Sequence, residues 1–99
     1  RDLLHVDDAV NGIKNAIETP VKKFEIFNIS SGHRYSMNHF VSLLELISNK
    51  KIPLKYTSEI IDEKCIWANN SKAKKILNFK PKITLSNGIK STLNYHSDD

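Results

Sequence analysis

Residues Asn69–Tyr95, NNSKAKKILNFKPKITLSNGIKSTLNY, constrain the fold of this chain more than any other stretch. Asn69, Asn70 and Ser71 are three successive residues whose short side-chain oxygens can accept an orphan N–H at a helix start. Ala73, Ile76 and Leu77 then give one apolar face at i, i+3 and i+4. Asn78 tolerates the left-handed conformation that closes a helix, and Pro81 forbids continuation. Ser86 opens a second helix, with Leu85 just ahead of it and Ile89 and Leu93 one turn apart. The pattern predicts helix, stop, short extended link, helix: a clamp that holds this part of the chain against a core.

The preceding residues alternate between the two hydrophobic periods. Arg1–Val6 reads as a short strand. Asp7 and Asp8 stand where a helix is capped, and Ala9, Val10, Ile13, Ala16 and Ile17 mark its expected buried stripe up to Pro20. Phe24–Ile29 alternates as a buried strand does, and Ser30, Ser31 and Gly32 form a turn. Ser36 caps a helix from Met37 to about Ser48, with Phe40, Val41, Leu43, Leu44 and Ile47 as its stripe. Asn49, Lys50, Lys51 and Pro53 close it. Leu54–Thr57 reads as a short strand, Ser58–Lys64 as polar and irregular, Cys65–Ala68 as extended, and His96–Asp99 as a frayed tail. The fold class is therefore α/β, or α+β for an isolated piece, with strand order unassigned.

Ninety-nine residues make one small domain or a piece of a larger one, and the start at Arg1 without a methionine suits a fragment. The net charge of +4 comes from fifteen cations, of which only Arg1 and Arg34 are arginines. Lysine is a flexible point charge, whereas phosphates and base edges are read best by the planar arginine fork. A solvated basic surface is thus expected rather than a nucleic-acid footprint. No apolar run approaches the ~20 residues of a membrane span, and the lone Cys65 has no disulfide or metal partner, so a reducing cytoplasm is the expectation. His33, His39 and His96 lack metal-ligand spacing, so no metal is expected. His5 reads as a hydrogen-bonded structural residue, and Trp67 and Phe79 as core aromatics.

Four motifs in order resemble one family. RDLLHVDDAV is similar to R-D-F-[VI]-[HY]-V-x-D-[VA], and FEIFNISSG followed by Ser36 to V-F-N-[IL]-G-S-G-x-x-x-S. PLKYT, Asp62 and WANNSKA resemble a strand, an acidic loop and A-D-x-S-K-A. Leu77, Phe79, Pro81, Leu85, Gly88, Ile89, Thr92, Leu93 and Tyr95 complete the closing segment. Together they resemble the C-terminal part of the extended short-chain dehydrogenases, the NAD-dependent nucleotide-sugar epimerases and dehydratases.

The resemblance implies the end of a Rossmann-type dinucleotide-binding sheet over 1–32, a substrate-binding lobe over 33–96, and a tail over 97–99. It implies nucleotide-sugar contacts from Arg1 and Asp62, and cofactor contacts from the Asn28–Gly32 turn, Asn28 and Ser30 in particular. Glu59 stands where the family's acidic loop carries an arginine. Catalytic residues are absent: Gly12, Gly32 and Gly88 form no Gly-rich phosphate turn, and the residues four beyond Tyr35, Tyr56 and Tyr95 are His39, Ile60 and Asp99, none of them lysine. The chain alone is expected to be inactive, with NAD bound mainly by an N-terminal dinucleotide-binding domain that it lacks. A non-catalytic interaction module derived from the lobe and a small basic nucleic-acid binder stay open as alternatives, as does a homo-oligomer. Phe24–Ile29 without a neighbouring strand would leave an open edge and promote self-association.

Overall fold

The computed structural model describes residues 1–21, 23–57 and 67–97. Four helices follow one another: α1 (Val6–Glu18), α2 (Met37–Ser48), α3 (Ser71–Leu77) and α4 (Leu85–Ser97). Helix α1 packs on α3, and α2 on α4. His96 and Ser97, expected in a frayed tail, continue α4.

Each helix end follows from a local side chain. Ser36 caps α2 by accepting the His39 N–H at 3.0 Å, and Asn49 closes it in the left-handed region at φ 56°. Asn78 closes α3 at φ 53°, and the Phe79 N–H returns to the Ala73 carbonyl at 3.2 Å. Thr84, rather than Ser86, starts α4: its hydroxyl accepts the Asn87 N–H at 3.2 Å. At α1 the cap is His5, whose Nδ1 accepts the Asp7 N–H at 3.1 Å. Asp8 is freed for another task. Its carboxylate, 2 % exposed, accepts the N–H groups of Lys82 (3.0 Å) and Ile83 (2.9 Å), tying α1 to the link before α4.

The core sits around α3. Ala73, Leu77 and Phe79 are buried, with Leu4, Phe27 and Ile29 packed against them. Gly12 lets α1 approach: a Cβ there would lie 2.8 Å from Ile29 Cγ2 and 3.1 Å from Phe79 Cε1. Consequently the side of α1 facing this core carries Asp8 and Gly12. The predicted buried stripe is overturned, since Val10, Ile13 and Ile17 are exposed, as is Val6. Ile76 of α3 is exposed too.

The strands also need correction: none forms among the described residues. A strand exists only where its N–H and C=O groups meet a second chain segment in a ladder. Arg1–Val6, Phe24–Ile29 and Leu54–Thr57 find no such ladder here. Their side chains still alternate: Phe27 and Ile29 lean on the core, while Phe24 and Ile26 face outward. Lys72 holds one side of this segment, donating to the Ile26 carbonyl at 2.9 Å, pairing with Glu25 at 2.6 Å and lying 5.0 Å over the Phe27 ring.

The radius of gyration is 16.2 Å, against about 13 Å for a compact domain of this length. Among the described residues, the buried apolar ones are Ala73, Leu77, Phe79 and Ile89, while many large apolar side chains are exposed.

Candidate functional site

Asp2 organises the region where most of the predicted site residues lie. Its carboxylate accepts the Ser31 N–H (2.9 Å), the Ser31 hydroxyl (2.6 Å) and the Gly32 N–H (3.1 Å). Burial pushes its pKa upward, but these hydrogen bonds to the charged form outweigh it and hold the group below the usual aspartate value. Gly32 adopts φ +77°, a conformation that favours glycine, and a Cβ there would meet the Asn70 side chain at 3.0 Å.

A second set of bonds laces this turn to the segment before α3. Asn28 Nδ2 donates to the Asn69 carbonyl (3.2 Å), Ser30 Oγ to the Ala68 carbonyl (3.1 Å), and Asn70 Nδ2 to the Ser30 carbonyl (2.8 Å). Asn69 accepts the Ser71 N–H at 2.9 Å at the start of α3, and the N-cap residue Asn70, which makes no side-chain capping bond, is available for the seam. Three stretches far apart in sequence, 1–2, 28–35 and 67–70, thus form one platform.

Arg1 lies at its edge. The Arg1 amino group donates to the Tyr35 carbonyl, and the Tyr35 N–H donates to the Arg1 carbonyl, both at 2.8 Å. The Arg1 side chain is exposed. Next to Tyr35, the Arg34 guanidinium lies 4.8 Å over the Trp67 ring. Trp67 is 50 % exposed, so it belongs to this surface and not to the core; Phe79 does occupy the core. A polar cleft of about 420 Å³ runs beside it, lined by Gly32, Trp67, Asn69, Asn70, Ser71 and Lys74.

The predicted residues are therefore not equivalent. Asn28 is exposed, and Ser30 is buried with its hydroxyl engaged in the seam. Asp62 and Glu59 lie outside the described residues. Sequence reasoning gave no site role to Arg34 or Tyr35 and placed Trp67 in the core; the one available signal was that Arg34 is one of only two arginines.

A second, apolar cavity of about 210 Å³ opens between α2, α4 and the first residues, lined chiefly by Leu4, Phe40, Leu44, Leu85, Ile89 and Leu93. Among the described residues no group of three His, Cys, Asp or Glu is placed to hold a metal ion, and no helix is long and apolar enough to cross a membrane.

No protein-family model matches the chain. Among curated relatives, a UDP-glucuronate 4-epimerase of Thermodesulfobacterium geofontis is 34 % identical over all of this chain and 31 % of its own length. An uncharacterised UDP-glucose epimerase of Bacillus subtilis, YtcB, is 35 % identical over 98 % of this chain and 31 % of its own. The chain thus spans about a third of the length of these relatives. Among solved structures, the UDP-glucose 4-epimerase of Bifidobacterium longum in complex with NAD+ and UDP superposes with a TM-score of 0.91, at 28 % identity, over 100 % of this chain and 30 % of that one. The UDP-glucuronic acid 4-epimerase of Bacillus cereus in complex with UDP-glucuronic acid and NAD gives 0.87 at 30 % identity, over 99 % and 32 %.

Proposed function

We propose that this chain, which corresponds to the C-terminal part of the NAD-dependent nucleotide-sugar epimerase family, is the substrate-binding portion of such an enzyme. The observation that carries the reading is the 0.91 superposition of the whole chain on a segment of an epimerase holding NAD+ and UDP.

Arg1 is the residue for the nucleotide. An exposed arginine can take a diphosphate by charge-assisted hydrogen bonds, and the two backbone bonds to Tyr35 fix the point from which its side chain reaches out. The resemblance implies Asp62, outside the described residues, as the second nucleotide contact.

The residues present do not fit the role of main NAD-binding loop. A pyrophosphate cradle needs glycines grouped in a turn that opens a helix. Here Gly12 faces Ile29 and Phe79, Gly32 faces Asn70, and Gly88 faces His5, so each serves a packing contact in a different place. Cofactor contact falls instead to the 28–32 turn. Asn28 is the more accessible of the two residues: it is exposed and Ser30 is buried, while both side chains also hold the seam.

The exposed residues of α1 and the 24–26 segment supply the partner reading. Val6, Val10, Ile13 and Ile17 recur at helical spacing, and Phe24 is 87 % exposed with Ile26 nearby in sequence. We assign this face to the dinucleotide-binding part of the enzyme, with residues 1–32 as the end of that part and 33–96 as the substrate lobe. The parent reaction is a transient oxidation of a sugar hydroxyl by NAD with return of the hydride; this chain binds and orients, and supplies no proton-transfer group.

The test is chemical-shift mapping of the full-length protein with a UDP-sugar. The reading requires perturbations at Arg1 and Asp62; their absence at saturating ligand overturns it.

A further inference from the structure

His5 has two nitrogens, and the fold uses only one of them. Its Nδ1 accepts the Asp7 N–H at 3.1 Å and starts α1, so in the neutral ring the proton sits on Nε2. That N–H has no hydrogen-bond partner among the described residues, although the side chain is only 10 % exposed. A nearly buried donor without a partner calls for an explanation. The Cδ2 edge of the ring, away from Nδ1, comes against α4, 3.2 Å from where a Cβ on Gly88 would stand.

His5 and Gly88 both line the apolar cavity of about 210 Å³ between α2, α4 and residues 3–5. None of the platform residues at 1–2, 28–35 and 67–70 belongs to its wall, and among the described residues no Asp, Glu, Lys or Arg does. The threonines of the wall are engaged by the α4 backbone: the Thr92 hydroxyl donates to the Gly88 carbonyl (2.8 Å), and the Thr84 oxygen accepts the Asn87 N–H (3.2 Å). Such a wall disfavours ions and gives water few of the polar partners that would hold it. An aliphatic cavity of about 150 Å³ is enough to take benzene. The cavity here has room for a ring with a short substituent.

We propose that this cavity is a binding site for a small neutral aromatic molecule carrying one carbonyl-type acceptor. Phe40, Leu44, Ile89 and Leu93 hold the ring, and the His5 Nε2–H takes the acceptor. The apolar wall supplies affinity through buried area, and the single donor selects molecules with an acceptor at one end. The proposal does not rest on the substrate-lobe reading.

The experiment titrates acetophenone and ethylbenzene into the full-length protein and its His5→Asn and Leu44→Phe variants, followed by chemical shifts and ligand-to-protein NOEs. The two probes share ring and shape and differ in the acceptor. The parent should bind both, with NOEs to Leu44, Ile89 and Leu93, and should hold acetophenone about tenfold more tightly, the worth of one hydrogen bond to a donor otherwise unpaired. His5→Asn keeps a helix cap for the Asp7 N–H and removes the ring N–H, so it should bind the two probes alike. Leu44→Phe fills the cavity and should weaken both. Should either variant fail to fold, the ratio of the probes and their NOEs in the parent decide. Absence of shifts at the lining residues overturns the site, which is then covered by the rest of the enzyme. Equal affinity of the parent for both probes, or a preference for acetophenone that survives His5→Asn, overturns the ligand class. Neither result bears on the UDP-sugar test at Arg1, which stands or falls by itself.

Discussion

Helix α1 inverts the usual rule for where substitutions hurt, and the inversion can be measured. Gly12→Ala in a helix interior would ordinarily gain about 1 kcal/mol from propensity. Here the new methyl would lie 2.8 Å from Ile29 Cγ2, 3.1 Å from Ile29 Cδ1 and 3.1 Å from Phe79 Cε1. Ile29 is β-branched and stiff, and Phe79, 1 % exposed, has no space to retreat into. Overpacking of this kind costs about 1–3 kcal/mol. The clash outweighs the propensity gain, leaving a net loss of about 1 kcal/mol, or roughly 4–8 °C in Tm for a domain of this size. Ile17→Gln on the opposite stripe removes a large apolar side chain that is 80 % exposed, and should change stability by less than about 0.5 kcal/mol. Calorimetry or urea titration of both variants at low protein concentration provides the comparison. A Gly12→Ala protein more stable than its parent, or an Ile17→Gln protein less stable than Gly12→Ala, would refute the assignment of the packed face.

Further outcomes follow from the same contacts. Asn70→Ala removes the buried bond to the Ser30 carbonyl and should lower stability by about 1–2 kcal/mol in urea titration. Asp2 has a folded-state pKa below its unfolded value, so its contribution is full above the unfolded pKa and is lost as pH falls through the folded one; Asp2→Asn should flatten the acid limb of stability against pH. Phe79→Ala empties the centre of the core at a cost of about 3–5 kcal/mol, enough to abolish the dispersed spectrum of so small a core. The isolated 99-residue chain should self-associate through α1 and the 24–26 segment; a monomer by sedimentation at high concentration would count against an open face.

Much of the closing clamp was legible because its signals are local. Asn78 in the left-handed region and Pro81 after it act within a few residues of where they stand, as does the Ser36 cap on α2. The cap of α4, by contrast, is Thr84 and not Ser86. The buried stripe of α1 was not legible. Periodicity reports that a helix has an apolar face, but what that face meets depends on segments outside the helix, and among the described residues only its Asp8–Gly12 side meets a core. The strands failed for the same reason: Phe24–Ile29 has the alternation of a strand and no ladder to join. At the site, Arg1 was legible through its motif. Tyr35 and Trp67 were not, since Tyr35 becomes a neighbour of Arg1 only through a pairing across thirty-four residues, and Trp67 reaches the surface only through the seam at Ala68–Asn70.

Amide hydrogen exchange over residues 24–29 tests most directly whether this chain is one portion of a larger folded body. In the isolated chain these N–H groups should exchange quickly, as in a segment outside any ladder. In the full-length protein the same amides should be protected by several orders of magnitude, as those of a paired strand are. Equal exchange in both would contradict the account, because the segment would then have no partner to gain.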